Sequence, residues 1–201
     1  MFAVGHLALG YLSGKTASKI LRIDVNLPLL FLFSLFPDID LVILRAMHRG
    51  PTHSIIFITL LFFPFFIAYR KKATPYFAAV ASHIIIGDFI EIGGVKLLWP
   101  LNQTWYSLNL FPMYSSIGIL SEWLPFGISV IVMLKSEDLK HLLRPHSSNF
   151  SLILPAIGIL TSFFLLFQSP ILILLIIPNL VYLTIFATSI AIEVKEVVKR
   201  D

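Results

Sequence analysis

The sequence contains no cysteine and few charged residues. Without cysteine, disulfides and thiolate metal ligands are excluded. Charged residues make up 13% of the 201 residues, whereas a soluble domain carries about 25%. Hydrophobic residues make up 57%, and the mean hydropathy is +0.89. A soluble protein of this length could not bury so much apolar surface, so the composition indicates a helical membrane protein that faces lipid.

The sequence also lacks any polar stretch long enough to form a separate soluble domain, which needs roughly 50 residues. We expect one membrane-embedded domain, in which residues 1–125 carry the polar motifs and residues 126–201 add helices and a basic C-terminus. The N-terminal residues lack the basic region of a secretory signal peptide, so we expect them to be retained.

Hydrophobic runs predict an all-α, multi-pass fold with about six to seven hydrophobic helices, each of which needs about 20 apolar residues to cross a bilayer. The predicted helices are 27–44, 54–69, 74–92, 117–134, 151–167 and 170–192. A shorter segment, 2–14, is interpreted as a partial or tilted helix.

If the predicted helices cross the membrane in alternating directions, the basic residues are divided unevenly between its two faces. Arg45, Arg49 and Lys96 fall on one face of the membrane, and the other twelve of the 15 Lys and Arg residues fall on the opposite face. The positive-inside rule then places the C-terminus in the cytoplasm of a cell-membrane protein. The basic residues form short, scattered clusters, so the net charge of +4 does not indicate a nucleic-acid partner.

Seven ionisable side chains lie within or beside the apolar segments, where charged and imidazole groups are costly. They belong to the runs GHLALG (5–10), PDID (37–40), HRGPTHS (48–54) and SHIIIGD (82–88). These residues are His6, Asp38, Asp40, His48, His53, His83 and Asp88. The alternation of helices brings all four runs to one depth. Since His and carboxylate are the usual ligands of zinc, manganese or iron, we expect a metal site between the N-terminal helices.

The spacing within PDID leaves two interpretations. On a straight helix Asp38 and Asp40 would point about 200° apart. Pro37 interrupts a helix and would let both face one cavity. Alternatively, residues 36–40 form a loop that exposes both carboxylates to solvent.

The run HRGPTHS predicts a turn at Gly50 and Pro51 that folds His48 back toward His53. Thr52 is placed to cap the helix that begins near His53. Arg49 is suited to bidentate binding of a phosphate or carboxylate. The alternative is that His48 is simply an interfacial histidine.

His83 and Asp88 are five residues apart, roughly 140° around an α-helix, so one ion could bind both only if the helix were distorted. Gly87 offers a place for that distortion. Otherwise Asp88 supports the ligands or binds a neighbouring metal. Glu91 lies one turn further and is a candidate supporting carboxylate, and Glu122 is either a further carboxylate of the site or a residue of its rim.

Five motifs follow one another along the chain, namely His6, PDID, HRGPTHS, SHIIIGD and GGVKLLWPL (93–101). In this order they resemble the pattern of the membrane-bound, metal-dependent hydrolases of bacteria and archaea, also described as LexA-binding, inner-membrane hydrolases. That family is distantly similar to zinc-dependent phospholipase C. The resemblance covers residues 1–125. It implies a metal site made of His6, Asp38, Asp40, His53, His83 and Asp88, with His48 and Arg49 beside it. The family pattern has the last Asp four positions after the His, whereas Asp88 follows His83 by five.

We therefore expect a membrane-bound hydrolase with one or two divalent ions, zinc before manganese or iron, that cleaves a phosphoester in a lipid or lipid-linked substrate. Asp38 or Asp40 would act as general base, and Arg49, with His48 nearby, would steady an anionic group. Two other hypotheses are a metal or proton transporter and a membrane-anchored interaction protein whose cytoplasmic partner docks on residues 135–149.

Overall fold

The computed structural model describes residues 1–43, 48–166 and 170–200. Arg45 and the last residues of the predicted segments 27–44 and 151–167 lie outside this part. The prediction of an all-α fold is confirmed, since the described residues contain helices and no β-strand. The helices are α1 (Ala3–Leu21), α2 (Leu27–Ser34), α3 (Asp40–Ile43), α4 (Ile55–Tyr69), α5 (Thr74–Ser82), α6 (Ser116–Lys135), α7 (Asp138–Leu142), α8 (Ile153–Leu166) and α9 (Ile176–Arg200).

Short helical turns connect several of these helices. The turns Phe36–Ile39, Pro51–His53, Arg70–Ala73, Ser147–Leu152 and Pro170–Leu175 are 3₁₀-helical, and His83–Asp88 is a π-helix. A long segment, 89–115, has no regular helix and is held by isolated bridges that pair Glu91 with Phe111 and Val95 with Tyr106.

Helix α1 is the central helix of the fold. It packs against α2, α5 and α6 and is buried at intervals from Ala3 to Ser18. A Cβ at Gly10 would collide with Ser34 of α2, so the small residue lets the two backbones approach closely. This packing carries His6, in the first turn of α1, into the interior.

The main core lies where α1 and α2 meet α6, α8 and α9. Its largest side chains are aromatic, and Tyr11, Phe31, Tyr182 and Phe186 are each fully buried. A second cluster lies between α4 and α5 and includes Val95 of the segment 89–115. Outside these clusters the helices expose large apolar side chains such as Leu60, as a surface in contact with lipid does.

Within the described residues, two helices are long and apolar enough to cross a membrane, Ser116–Lys135 and Pro170–Arg200. They correspond to the predicted segments 117–134 and 170–192. The predicted number of six to seven spanning helices is not supported. A further apolar helix, Ser147–Phe163, is shorter, and α4 has 15 residues, about 22 Å against a hydrocarbon core of about 30 Å.

The predicted spans 27–44 and 74–92 are interrupted at the polar motifs. Helix α2 ends at Ser34, before Pro37, and α5 changes into the π-helix at His83. Helix α1 is longer than the predicted segment 2–14, but its last two turns contain Lys15 and Lys19. Hydropathy alone does not detect these interruptions, because most of the residues in them are apolar.

Candidate metal centre

Four ligand-type atoms converge at the end of α5, namely Oδ1 of Asp38, Nε2 of His53, Nε2 of His83 and Oδ2 of Asp88. The two imidazole nitrogens are 3.3 Å apart. Nε2 of His53 lies 3.5 Å from Asp38 and 3.1 Å from Asp88, and Nε2 of His83 lies 3.4 Å and 3.5 Å from the same two carboxylates. His53, His83 and Asp88 are buried, whereas the side chain of Asp38 is 21% exposed. The site is therefore buried on three sides and open at Asp38.

Hydrogen bonds fix the orientation of both imidazole rings. Nδ1 of His83 lies 2.7 Å from the carbonyl oxygen of Ser34, which can only accept, so Nδ1 carries the proton. Nδ1 of His53 lies 3.0 Å from the hydroxyl oxygen of Thr52, which itself donates to Asp40, and 3.3 Å from Oδ2 of Asp40. Both rings thus direct Nε2 toward the same point, the arrangement in which a histidine binds a metal through one nitrogen and donates through the other.

The break predicted at Pro37 places Asp38 and Asp40 on two sides of the His53 ring. Asp38 approaches Nε2, and Asp40 approaches Nδ1. Because the chain turns through the 3₁₀-helix Phe36–Ile39, the two carboxylates contact one ring instead of pointing apart. The alternative of two solvent-exposed carboxylates is wrong for Asp40, which is 2% exposed.

Asp40 is the centre of a hydrogen-bond network. Nδ1 of His48 lies 2.9 Å from Oδ1, the hydroxyl of Thr52 donates to Oδ2 at 2.7 Å, and the backbone N–H of Arg49 donates to Oδ2 at 3.2 Å. The prediction that Thr52 caps the next helix is wrong, since Ser54 accepts from the N–H of Phe57 at the start of α4. Asp40, His48 and His53 also form a second group with the spacing of metal ligands.

The π-helix brings His83 and Asp88 together. The N–H of Phe89 donates to the carbonyl of Ile84, five residues back, at 3.0 Å. This widened turn brings residues five apart onto one side of the helix, and such turns are frequent at functional sites. The distortion expected at Gly87 is thus present, and it accounts for the five-residue spacing.

His6 lies directly beside this group. Its ring stacks on that of His83, with centroids 3.5 Å apart and an angle of 9° between the planes, and its Nε2 is 3.5 Å from Oδ1 of Asp88. A Cβ at Gly87 would lie 2.5 Å from Cε1 of His6, so the absence of a side chain there makes the close approach possible. His6 is buried but is not a member of the four-atom group.

Arg49 joins two carboxylates at the edge of the site. Its Nη2 donates to Asp88 and to Glu91, at 2.8 Å each. Burial alone would lower the pKa of Arg49, but Asp88 and Glu91 beside it raise that pKa, so the guanidinium stays charged. Its backbone has φ 61°, in the left-handed region, and is held there by hydrogen bonds from its N–H to Asp40 and from the Lys96 N–H to its carbonyl.

Glu91 and Glu122 support the site from further away, in ways that the sequence did not reveal. Glu91 is buried and binds Arg49. Glu122 of α6 accepts from the N–H groups of Phe2 at 2.8 Å and Gly5 at 2.6 Å, so it caps the first turn of α1 from another helix. These contacts depend on long-range packing, for which a single sequence gives no signal.

The donor set fits a divalent cation. In a tetrahedral site with bonds of 2.0–2.1 Å, ligand atoms are about 3.3–3.4 Å apart. The five distances that join the Nε2 atoms of His53 and His83 to each other and to the two carboxylates run from 3.1 to 3.5 Å. All four ligand-type atoms lie within 4.8 Å of one another. Five buried side-chain atoms of the described residues lack a hydrogen-bond partner, and two of them, Oδ2 of Asp88 and Nδ1 of His6, lie at this site. Such orphaned acceptors are rare in proteins unless an ion or water satisfies them.

The protonation of His53 is sensitive to this environment. Burial alone would lower its pKa, but the surrounding carboxylates of Asp38, Asp40 and Asp88 raise the pKa well above the usual value of 6.5. Without a metal, a proton on Nε2 would occupy the position that a cation takes. Protons and metal ions therefore compete for the same atom.

All eight sequence-predicted site residues belong to one connected network. The structure brings together His6, Asp38, Asp40, His48, Arg49, His53, His83 and Asp88. It does not assign their roles, which stay predictions. The alternative that His48 is only an interfacial histidine does not account for its contact with buried Asp40.

No curated protein and no solved structure matches this sequence significantly. A family model described as "YdjM inner membrane protein" matches residues 1–192. The match supports a location at the inner membrane and association with the lipid bilayer, whereas hydrolase activity and the relationship to zinc-dependent phospholipase C stay predictions. Since the matched residues are nearly the whole chain, this protein belongs to the YdjM inner membrane protein family.

Proposed function

We propose that this protein is a membrane-bound, metal-dependent hydrolase with one principal divalent ion, zinc in the first place, acting on a phosphoester of a lipid or lipid-linked substrate. The convergence of four ligand-type atoms at 3.1–3.5 Å supports the proposal most directly. Two imidazoles and carboxylates at tetrahedral spacing favour zinc, although manganese or iron can use the same donors.

The ligands of the proposed centre are His53, His83 and Asp88. Catalytic zinc sites commonly have three protein ligands and one open position. Asp38 stands at the fourth corner, on the exposed side, where a substrate would arrive. When bound, the ion would supply Lewis acidity and a water molecule that ionises near neutral pH.

Asp38 is our candidate for the general base, since it is the carboxylate at the exposed corner. Asp40 is less suited to that role, because its oxygens already accept from Thr52, Arg49 and His48. We assign to Asp40 the orientation of His53, with His48 as its second partner.

Arg49 is assigned a positioning role in place of the predicted contact with substrate. Nη2 is engaged by Asp88 and Glu91, so the guanidinium fixes the ligand Asp88. The positive charge that a phosphoester contacts would then come chiefly from the metal and not from Arg49. His6, whose ring covers His83, completes the wall of the site.

Metal content of the detergent-purified protein tests the proposal. We expect about one equivalent of zinc or manganese, lost in His53→Ala and His83→Ala, and retained in the matched variant His141→Ala, which changes an exposed histidine. Asp38→Asn should keep the metal and lose hydrolysis of a phosphodiester. Loss of the metal from Asp38→Asn would instead indicate a closed, structural site and contradict the catalytic assignment.

Two alternatives have weaker support. A transporter needs ionisable groups along a continuous path, whereas the polar residues of this site gather at one end of α1. An interaction protein needs a docking surface, for which residues 135–149 are the candidate. This segment and the last turns of α1 line a cavity of about 520 Å³. A multi-pass topology with a cytoplasmic C-terminus also stays a prediction.

A further inference from the structure

The segment 93–115, which we call the interface loop, exposes an unusual number of apolar side chains. Leu101 is 82% exposed and Leu110 is 63% exposed, and Trp105 is about half exposed. Lys96 lies over the ring of Trp105, with Nζ 5.5 Å from the ring centroid. Aromatic rings and lysine beside exposed aliphatic residues are typical of the boundary between membrane and water.

The interface loop is fixed to the candidate metal centre. The N–H of Lys96 donates to the carbonyl of Arg49 at 3.1 Å, and the hydroxyl of Ser54 donates to the carbonyls of Leu97 and Trp99 at 3.1 Å and 2.5 Å. Val95 anchors the loop in the cluster between α4 and α5. The apolar surface of the loop therefore cannot move independently of the turn that carries Arg49 and His53.

Chain continuity gives the depth of the loop. It ends where α6 begins, at Ser116, and α6 has the length and composition of a spanning helix. The last residues of the loop thus lie at the level where α6 would enter the hydrocarbon. Glu122 is six residues further, about 9 Å along the helix axis, and it holds the first turn of α1, the turn that carries His6.

The metal centre consequently lies between these two levels, within about 10 Å of the membrane–water boundary. The headgroup region on each side of a bilayer is several Å thick. Phosphates and ester bonds of lipids lie at and just outside the level where α6 would enter the hydrocarbon, next to this centre, whereas acyl chains continue inside it.

We infer that the interface loop is a lipid-binding platform that presents the headgroup of a membrane phospholipid to the metal centre. The inference rests on the proposed function for the fate of the lipid, while the position of the loop can be tested separately. Its occupant is lipid, because the loop is continuous with a spanning helix and the family is an inner membrane family.

Depth-dependent quenching of tryptophan fluorescence tests the position of the loop without any catalytic step. The double variant Trp99→Phe/Trp123→Phe keeps Trp105 alone. In nanodiscs of phosphatidylethanolamine and phosphatidylglycerol, we expect a bromine near the headgroup to quench Trp105 more strongly than one near the end of the acyl chain. Quenching by aqueous iodide but not by brominated lipid would overturn the inference and point to a surface for a soluble partner.

Hydrolysis of two substrates tests what the platform does. Leu101→Ser/Leu110→Ser should lower cleavage of phospholipid in vesicles roughly tenfold, with metal content and cleavage of soluble bis-p-nitrophenyl phosphate unchanged. The control Ile20→Ser, an exposed residue at the other end of α1, should affect neither. An unchanged rate on vesicles would overturn the role of the platform. If the metal-loaded protein cleaves neither substrate, the proposed function fails and quenching alone decides the position of the loop.

Discussion

Replacement of Gly87 by alanine probes the packing that brings His6 to the candidate metal centre. A Cβ at Gly87 would lie 2.5 Å from Cε1 and 2.6 Å from Nδ1 of His6. Since non-bonded carbon atoms pack at about 3.5–4.0 Å, the His6 ring would have to move. It is stacked on His83, so we expect the disturbance to reach a metal ligand.

Two opposing contributions determine the stability of Gly87→Ala. Alanine improves helix propensity by about 0.5–1 kcal/mol relative to glycine. Overpacking in a tight interior costs about 1–3 kcal/mol. We expect a net destabilisation of up to about 2.5 kcal/mol, with about 2–4 °C lower Tm for each kcal/mol. The metal affinity should fall by roughly 10–100-fold, as it does when residues that support ligands are changed.

Thermal unfolding in detergent and competition with a chromophoric zinc chelator measure both effects. Gly127→Ala is the matched control, because it also lies in a helix and a Cβ there meets no atom within 4 Å. This control should be slightly more stable than the native protein and bind metal equally well. If Gly87→Ala behaves like Gly127→Ala in both assays, the contact between His6 and Gly87 has no part in the site.

Three further predictions concern the network around the centre. Asp40→Asn should reduce the metal affinity by roughly 10–100-fold without changing the number of ions bound, because the ring of His53 is then less firmly oriented. Competition with a chelator measures this affinity. Complete loss of the metal would show instead that Asp40 is a ligand. The pKa of His53 is raised in the metal-free protein, so protons still compete with the metal at pH values above the usual pKa of 6.5. The metal affinity should therefore increase as the pH rises from about 6 to 8. Equal zinc affinities at these two pH values, measured by titration, would contradict the competition. Arg49→Met should lower the free energy of unfolding of the metal-free protein by about 1–3 kcal/mol, because it removes one cationic partner of Asp88 and Glu91. The N-terminal ammonium of Met1 still contacts both carboxylates, at 3.2 Å and 2.7 Å. Native-like thermal stability would show that the ion pair with Arg49 makes no net contribution.

The sequence motifs indicated which residues meet but not how many helices span the membrane. Pro37 predicted the break that turns Asp38 and Asp40 toward one ring, and Gly87 predicted the distortion between His83 and Asp88. Each of these predictions depends on local backbone chemistry. The number of spanning helices depends on where apolar runs are interrupted, and hydropathy averages across such interruptions.

Contacts between distant parts of the chain were the least predictable. The carbonyl of Ser34 that fixes the ring of His83 is a backbone group with no sequence signature. For Glu122 the sequence leaves two alternatives, a further carboxylate of the site or a residue of its rim, whereas its function as a cap for α1 depends on how α6 packs against that helix. Thr52 was assigned to the helix start, whereas its hydroxyl is used by Asp40 and the neighbouring Ser54 forms the cap.

The cap that Glu122 provides has a consequence for biosynthesis. All four atoms of the ligand group belong to the first 88 residues, yet the first turn of α1 is held by a side chain that is synthesised 34 residues later. The two hydrogen bonds that Glu122 accepts from Phe2 and Gly5, at the turn that carries His6, cannot form until α6 has left the ribosome and packed beside α1. We therefore expect metal loading of the candidate centre to be coupled to the packing of α6, so a chain arrested before Glu122 should contain the ligand-type residues but hold an ion weakly.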